Sequence, residues 1–193
     1  MKNTKLSLTL LVIFSVAFDS CKKNKEGDSV PVGETEFITT LTMTFISYGG
    51  NDTAVFQYRD LDSIGGNPPV ITEDTLNGGT TYGVEIELLD ESVIPPIDVT
   101  EEIRDEAEEH QFFFTVSANL NAAIRYSGNN DSNGFPIGLV TAWDGASTIP
   151  GPGTFTVTLR HGVDKEADFV SQGNITNAGG ETDIEVTFNV VVQ

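Results

Sequence analysis

The sequence is short of the residues that usually announce a chemistry. It has one cysteine, Cys21, so no disulfide can form within the chain. It has two histidines, His110 and His161, and one tryptophan, Trp143. Positive charge is scarce: 10 Lys and Arg stand against 29 Asp and Glu, for a net charge of −19. So acidic a surface repels nucleic acid and anionic headgroups, and suits divalent cations and basic partners. There is no G-x-S-x-G, H-E-x-x-H or G-x-x-x-x-G-K-[ST] sequence, and no catalytic cysteine. No catalytic residue is therefore assigned, and the chain is not expected to be an enzyme.

Long apolar runs are also missing, with one exception. Leu6 to Phe18 is nearly unbroken and follows Lys2 and Lys5. It is too short to span a bilayer and has the length of a signal-peptide core. Phe18-Asp19-Ser20-Cys21 follows it directly. A lone cysteine at this place resembles the lipobox of bacterial lipoproteins, of the kind found in the Bacteroidota. Phe18 and Asp19 depart from the commoner leucine and small residue. Glu106-Ala-Glu-Glu-His-Gln-Phe-Phe-Phe114 and Ile175-Thr-Asn-Ala-Gly-Gly-Glu-Thr-Asp183 are similar to stretches of uncharacterised cell-envelope lipoproteins of that group.

The resemblance implies cleavage before Cys21, lipidation of that residue and attachment to a membrane, with an outer-membrane location facing either the periplasm or the surface. It also allows an outer-membrane protein as partner, and brings no activity with it. Loss of residues 1–20 removes Lys2, Lys5 and Asp19, leaving 8 basic and 28 acidic residues, a net charge of −20. The expected organisation is a signal peptide over 1–20, a polar Gly/Pro-containing tether over 21–34 and a folded domain over 35–193.

Within that domain, apolar residues alternate with polar ones. Phe37, Leu41, Met43 and Phe45 share one face from Glu36 to Ile46, and Tyr82, Val84, Ile86 and Leu88 another. The pattern recurs around Phe56, Phe112, Ile124, Trp143 and Phe155, and is cleanest from Ile184 to Val192. These stretches, joined by turn-rich connections, predict an all-β, immunoglobulin-like β-sandwich of about eight antiparallel strands with one short inserted helix.

The helix is expected from Asp98. Asp98 and Glu101 have the spacing of a capping box, and Val99, Ile103 and Ala107 recur every four residues over about three turns. Phe113 opposes Phe112 and Phe114, which predicts a strand covered on both sides, with the helix as the second cover.

Two groups of residues have the makings of a cation site. Glu102, Glu106 and His110 are four apart, with Glu109 beside them, and His161 lies at a strand end. Carboxylates and imidazoles together suit zinc or a similar ion. A solvated helix face with a histidine near its C-terminus has the same sequence. Asn129, Asp131 and Asn133, followed by Gly134, resemble a calcium loop with alternate oxygen ligands, and equally a tight turn. Asp60-Leu-Asp62 is a weaker version, with Ile64 at the third ligand position. No cofactor is required by either reading; calcium or zinc is the one to test for. Trp143, inside an alternating strand, is expected in the core.

The function expected is a lipid-anchored extracytoplasmic binding or accessory protein without enzymatic activity. The alternatives are a divalent-metal-binding lipoprotein that assists metal uptake, and a carbohydrate-binding or carbohydrate-hydrolysing surface lipoprotein.

Overall fold

Eleven strands make up two sheets packed face to face, with one α-helix beside them, in a computed structural model that describes residues 36–62, 66–145 and 150–193. The leader, Cys21, the tether and Ile64 lie outside the described residues. The described residues form one compact unit.

The first sheet runs β3 (Val70–Thr72), β2 (Thr53–Arg59), β1 (Thr40–Ser47), β5 (Tyr82–Asp90), β9 (Val140–Asp144), β8 (Ala123–Tyr126). The two-residue β6 (Ile97–Asp98) pairs with the end of β5. The second sheet runs β4 (Thr75–Leu76), β11 (Glu181–Val192), β10 (Gly151–His161), β7 (Gln111–Val116). Every pairing is antiparallel except that of β4 with β11. The all-β sandwich read from periodicity is therefore the architecture. The expected strands correspond to β1, β2, β5 and β7–β11, and the three further ones are too short to carry a pattern.

Alternation puts Phe45, Phe56, Tyr82, Trp143, Phe155 and Phe188 between the sheets, all 0 % exposed. Their rings meet edge-on or tilted, 5.1 Å apart for Phe56 and Phe155 and 5.6 Å for Phe45 and Trp143. Such offset contacts add ~0.5–1.5 kcal/mol a pair beyond the area they bury. Trp143 thus has no face free for a sugar ring.

The helix differs from expectation. It spans Val99–Asp105, under two turns, and Glu106 to Glu109 continue as turns. Asp98 does cap it, accepting from Thr100 N, but Glu101 pairs with Arg104 instead of closing the box. Val99, Ile103 and Ala107 are buried in the main core, and Thr100 Oγ1 binds the backbone of Leu88 in β5. The helix therefore closes one end of the sandwich and does not cover β7. Phe113, on the outer side of β7, packs with Val163, Val170 and Ala178, from the segment linking β10 to β11.

Strand β1 begins later than the alternation suggests. Phe37 is 48 % exposed, so it stands clear of the core. Thr39 still bonds within the first sheet, to Leu89 O and from Asp60 N, and Glu36 reaches His110 and His161 on the side of the second.

Candidate metal centre

At one end of the sandwich, the inner faces of β7, β10 and β11 finish in charged residues. Phe112 pairs with Leu159, both buried, and Gln111 pairs with Arg160. One step further on the inner face come His110 and His161. Their rings lie edge-to-face, 4.5 Å between centroids. Helical periodicity placed His110 beside Glu102 and Glu106. The turn after α1 breaks that face and swings His110 inward, to 0 % exposure.

A β-bulge brings in the third group. Leu159 pairs with Ile184 but Arg160 with Thr182, so Asp183 is the extra residue on β11. Bulges re-aim side chains at strand ends, and Asp183, which simple alternation would leave facing water, has a side chain only 1 % exposed. Glu36 arrives from the first sheet's side, just before β1, with its side chain 6 % exposed.

These groups converge. His110 Nε2 is 2.7 Å from Glu36 Oε1 and 3.8 Å from Asp183 Oδ2; His161 Nδ1 is 3.2 Å from the same Glu36 oxygen. The other nitrogen of each ring is held from outside. His110 Nδ1 lies 3.1 Å from the carbonyl of Glu106, and His161 Nε2 3.0 Å from the Glu109 carboxylate. A histidine that donates its outer N–H to a carbonyl or carboxylate is the usual orientation of a metal-ligating imidazole. Ligand atoms of Glu36, Glu106, His110 and His161 all lie within 4.8 Å of one another. These residues can hold a metal ion.

Four polar atoms at the centre lack a hydrogen-bond partner, although Glu36 Oε1 is bonded to His161 Nδ1. Glu36 Oε2 and both carboxylate oxygens of Asp183 are buried without a hydrogen-bond partner. His110 Nε2 approaches Glu36 closely but without hydrogen-bond alignment. Buried orphan atoms of this kind call for a missing ion or water.

The electrostatics agree. Burial pushes the Asp183 carboxyl up to about 7, helped by the charge of Glu36 and opposed by the two histidines. Burial also works against ionisation of Glu36, but His110, a backbone N–H and His161 outweigh it and hold that carboxyl at about 2. The His110 imidazole is raised: burial opposes its charge, and Glu36, the Glu106 carbonyl and Asp183 overcome that. Two carboxylates sharing one buried site cannot both ionise cheaply without a cation; in the metal-free protein the His110 imidazolium is that cation for Glu36, and Asp183 is left without one.

Of the sequence candidates, Glu106, His110 and His161 belong to the cluster, Glu109 meets it through His161, and Glu102 is exposed on α1. Of the arginines near these elements, Arg104 pairs with Glu101, and Arg160 donates to the carbonyls of Gly179 and Gly180.

In the 129–134 turn, Asp131 accepts from the backbone of Asn133 and Phe135 and is 3.1 Å from Lys165 Nζ. That ammonium also donates to the carbonyls of Ala107 and Pro136 at 2.6 and 3.1 Å, so an oxygen of Asp131 is already taken, while Asn129 and Asn133 are exposed. Burial lowers the pKa of Lys165, and Asp131 works the other way.

Glu36 and Asp183 were not visible as site residues in the sequence. One lies far along the chain from its partners, and the other is inward only because of the bulge.

Comparison of the chain with family models, curated proteins and solved structures returns no match.

Proposed function

We propose that the chain is a lipid-anchored, extracytoplasmic binding protein without enzymatic activity, whose ligand is a zinc-class divalent cation held by Glu36, His110, His161 and Asp183. The carrying observation is the convergence of two imidazole nitrogens and two buried carboxylates, three of whose four oxygens have no hydrogen-bond partner. A tetrahedral zinc site with bonds of ~2.0 Å separates its ligand atoms by ~3.3 Å. The contacts of 2.7, 3.2 and 3.8 Å bracket that spacing. Two neutral imidazoles and two carboxylates balance a divalent ion, so a buried site becomes neutral on loading. Calcium, which takes six to eight oxygens, suits this donor set poorly.

The centre is closed on the sides of His110, Asp183 and Glu36 and reaches solvent past His161 and Glu106. An ion enclosed in this way is retained, which favours holding or handing over a metal over turnover of a substrate. The lipid anchor rests on the lipobox-like Cys21 alone.

The test is direct. Residues 34–193, freed of metal by chelator, are titrated with zinc while melting temperature and bound metal are measured. One equivalent bound and a higher melting temperature are expected, with both lost in His110→Ala. Indifference to zinc and to chelator would remove the metal and leave a binding domain of unidentified ligand.

A further inference from the structure

One end of the first sheet is built unlike the rest of the surface. Val70, Arg59, Thr40, Leu89 and Asp98 form one hydrogen-bonded row across β3, β2, β1, β5 and β6. Apolar side chains gather at and beyond this row: Phe37, Leu61, Val70, Val93, Ile94 and Ile97, each at least 41 % exposed. Ile94 is 97 % exposed. With Ile71, seven of the twelve large apolar side chains exposed among the described residues are at this end. A gathering of this kind marks a surface that meets something other than water.

Its most projecting part is Ser92-Val93-Ile94-Pro95-Pro96-Ile97, six residues without a charge in a chain that is 20 % charged. The acids at its base are occupied within the protein. Asp90 is 7 % exposed and accepts from Ser92 N at 2.8 Å. Glu91 accepts from Arg59 at 2.6 Å and from Thr40 at 2.5 Å. The loop is thus held out from a tied base, with no carboxylate at its tip.

The chain also enters the fold here, through Glu36 and Phe37. Cys21 lies 15 residues before Glu36, a reach of at most ~50 Å fully extended. A tether of that length brings the domain to the bilayer but does not choose which end meets it.

We infer that the 92–97 loop and its apolar neighbours rest in the interfacial zone of the membrane that carries the lipid anchor, and so fix the orientation of the domain. This rests on the lipid anchor proposed at Cys21. The lipid chains supply the attachment, and the rim supplies the direction. Zwitterionic lipid is the suited surface, because Asp60 and Asp62 flank Leu61 and would be repelled by anionic headgroups. Seated this way, the metal centre, which shares the Glu36 end of the sandwich, faces the membrane side.

The experiment uses the full lipidated chain in phosphatidylcholine vesicles that carry nitroxide-labelled acyl chains. A fluorophore is attached at Ile94→Cys or, as the control, at Asn51→Cys in the β1–β2 turn at the far end of β1. Both positions are exposed, so folding is not at risk. Cys21 is consumed by lipidation, so one label per chain is expected. Quenching at position 94 several-fold stronger than at 51 supports the rim. Equal quenching at the two positions, with the protein still sedimenting with vesicles, overturns it, and the apolar end is then a face for a protein. Two labels per chain and no sedimentation overturn the anchor, and the orientation with it.

Discussion

His110 Nε2 and Glu36 Oε1 stand 2.7 Å apart with Asp183, almost fully buried, behind them. In the metal-free domain this arrangement is costly, because Asp183 has no hydrogen-bond donor for either oxygen. Asp183→Asn should therefore make the metal-free domain more stable, by ~1–2 kcal/mol, the scale of relieving a buried unpaired charge. The same change should weaken the zinc response, since the amide is a poor ligand and leaves the loaded site with a positive charge. Chemical denaturation with and without zinc measures both. A variant that loses stability when metal-free and keeps the full zinc response would show that Asp183 is no ligand.

How much of this could be read from the chain follows from the range of each signal. The sandwich was legible because strand periodicity is local: Phe155, Val157 and Leu159, or Ile184 to Val192, declare their inner face within a few residues. The histidines were legible as candidates because there are only two. Their partners were mostly not. Helical spacing offered Glu102, Glu106 and Glu109, of which Glu106 joins the cluster and Glu109 meets His161, whereas α1 stops at Asp105 and the carboxylates nearest His110 Nε2 come from the segment before β1 and a bulge on β11. A bulge inverts the face of one residue and has no local sequence mark, so Asp183 looked solvent-facing. The cover over Phe113 is not legible for a similar reason: the segment of Val163, Val170 and Ala178 has no regular period.

Lys165 and Asp131 form a second buried charged pair, with side chains 3 % and 1 % exposed. Lys165→Met leaves Asp131 charged in the interior and should cost ~3–5 kcal/mol. Lys165→Met with Asp131→Leu should recover much of that, because the charge is then gone. Because the ammonium already fills the space beside Asp131, calcium at fixed ionic strength should leave the melting temperature of the unaltered domain unchanged. A calcium-dependent rise that disappears in Asp131→Ala would mean that the loop binds calcium after all.

Tyr126 gives the fold an alkaline limit. Its hydroxyl donates to the carbonyl of Phe112 at 2.6 Å and accepts from Gln111 Nε2 at 2.9 Å. Burial pushes the phenol up to about 12, the Gln111 donor working the other way. The folded state therefore keeps a proton that the unfolded chain releases near its ordinary value of ~10. Stability from this group is full below pH ~10 and is lost as pH rises toward 12. The loss should reach ~2–3 kcal/mol, two pH units' worth. Urea unfolding at pH 9 and pH 11.5 measures it, and Tyr126→Phe should flatten the difference. An equal fall in the variant would assign the alkaline loss to other groups.

Gly180 joins the fold to the site. Its φ is +66°, and a Cβ there would lie 2.0 Å from the carbonyl oxygen of His161 and 2.9 Å from that of Gly162. Both contacts are with backbone, which cannot step aside as a flexible side chain would. The left-handed conformation alone costs an alanine ~1 kcal/mol or more. Relief of the clash must move the end of β10, and His161 with it. Gly180→Ala should therefore destabilise the domain by about 3 kcal/mol and weaken zinc binding at least tenfold, although residue 180 offers no ligand. Gly50→Ala is the control: φ is +68° and nothing lies within 4 Å of its Cβ, so it should cost only the conformational part and leave zinc affinity unchanged. Equal effects of the two substitutions on zinc affinity would show that His161 does not depend on the packing of that turn.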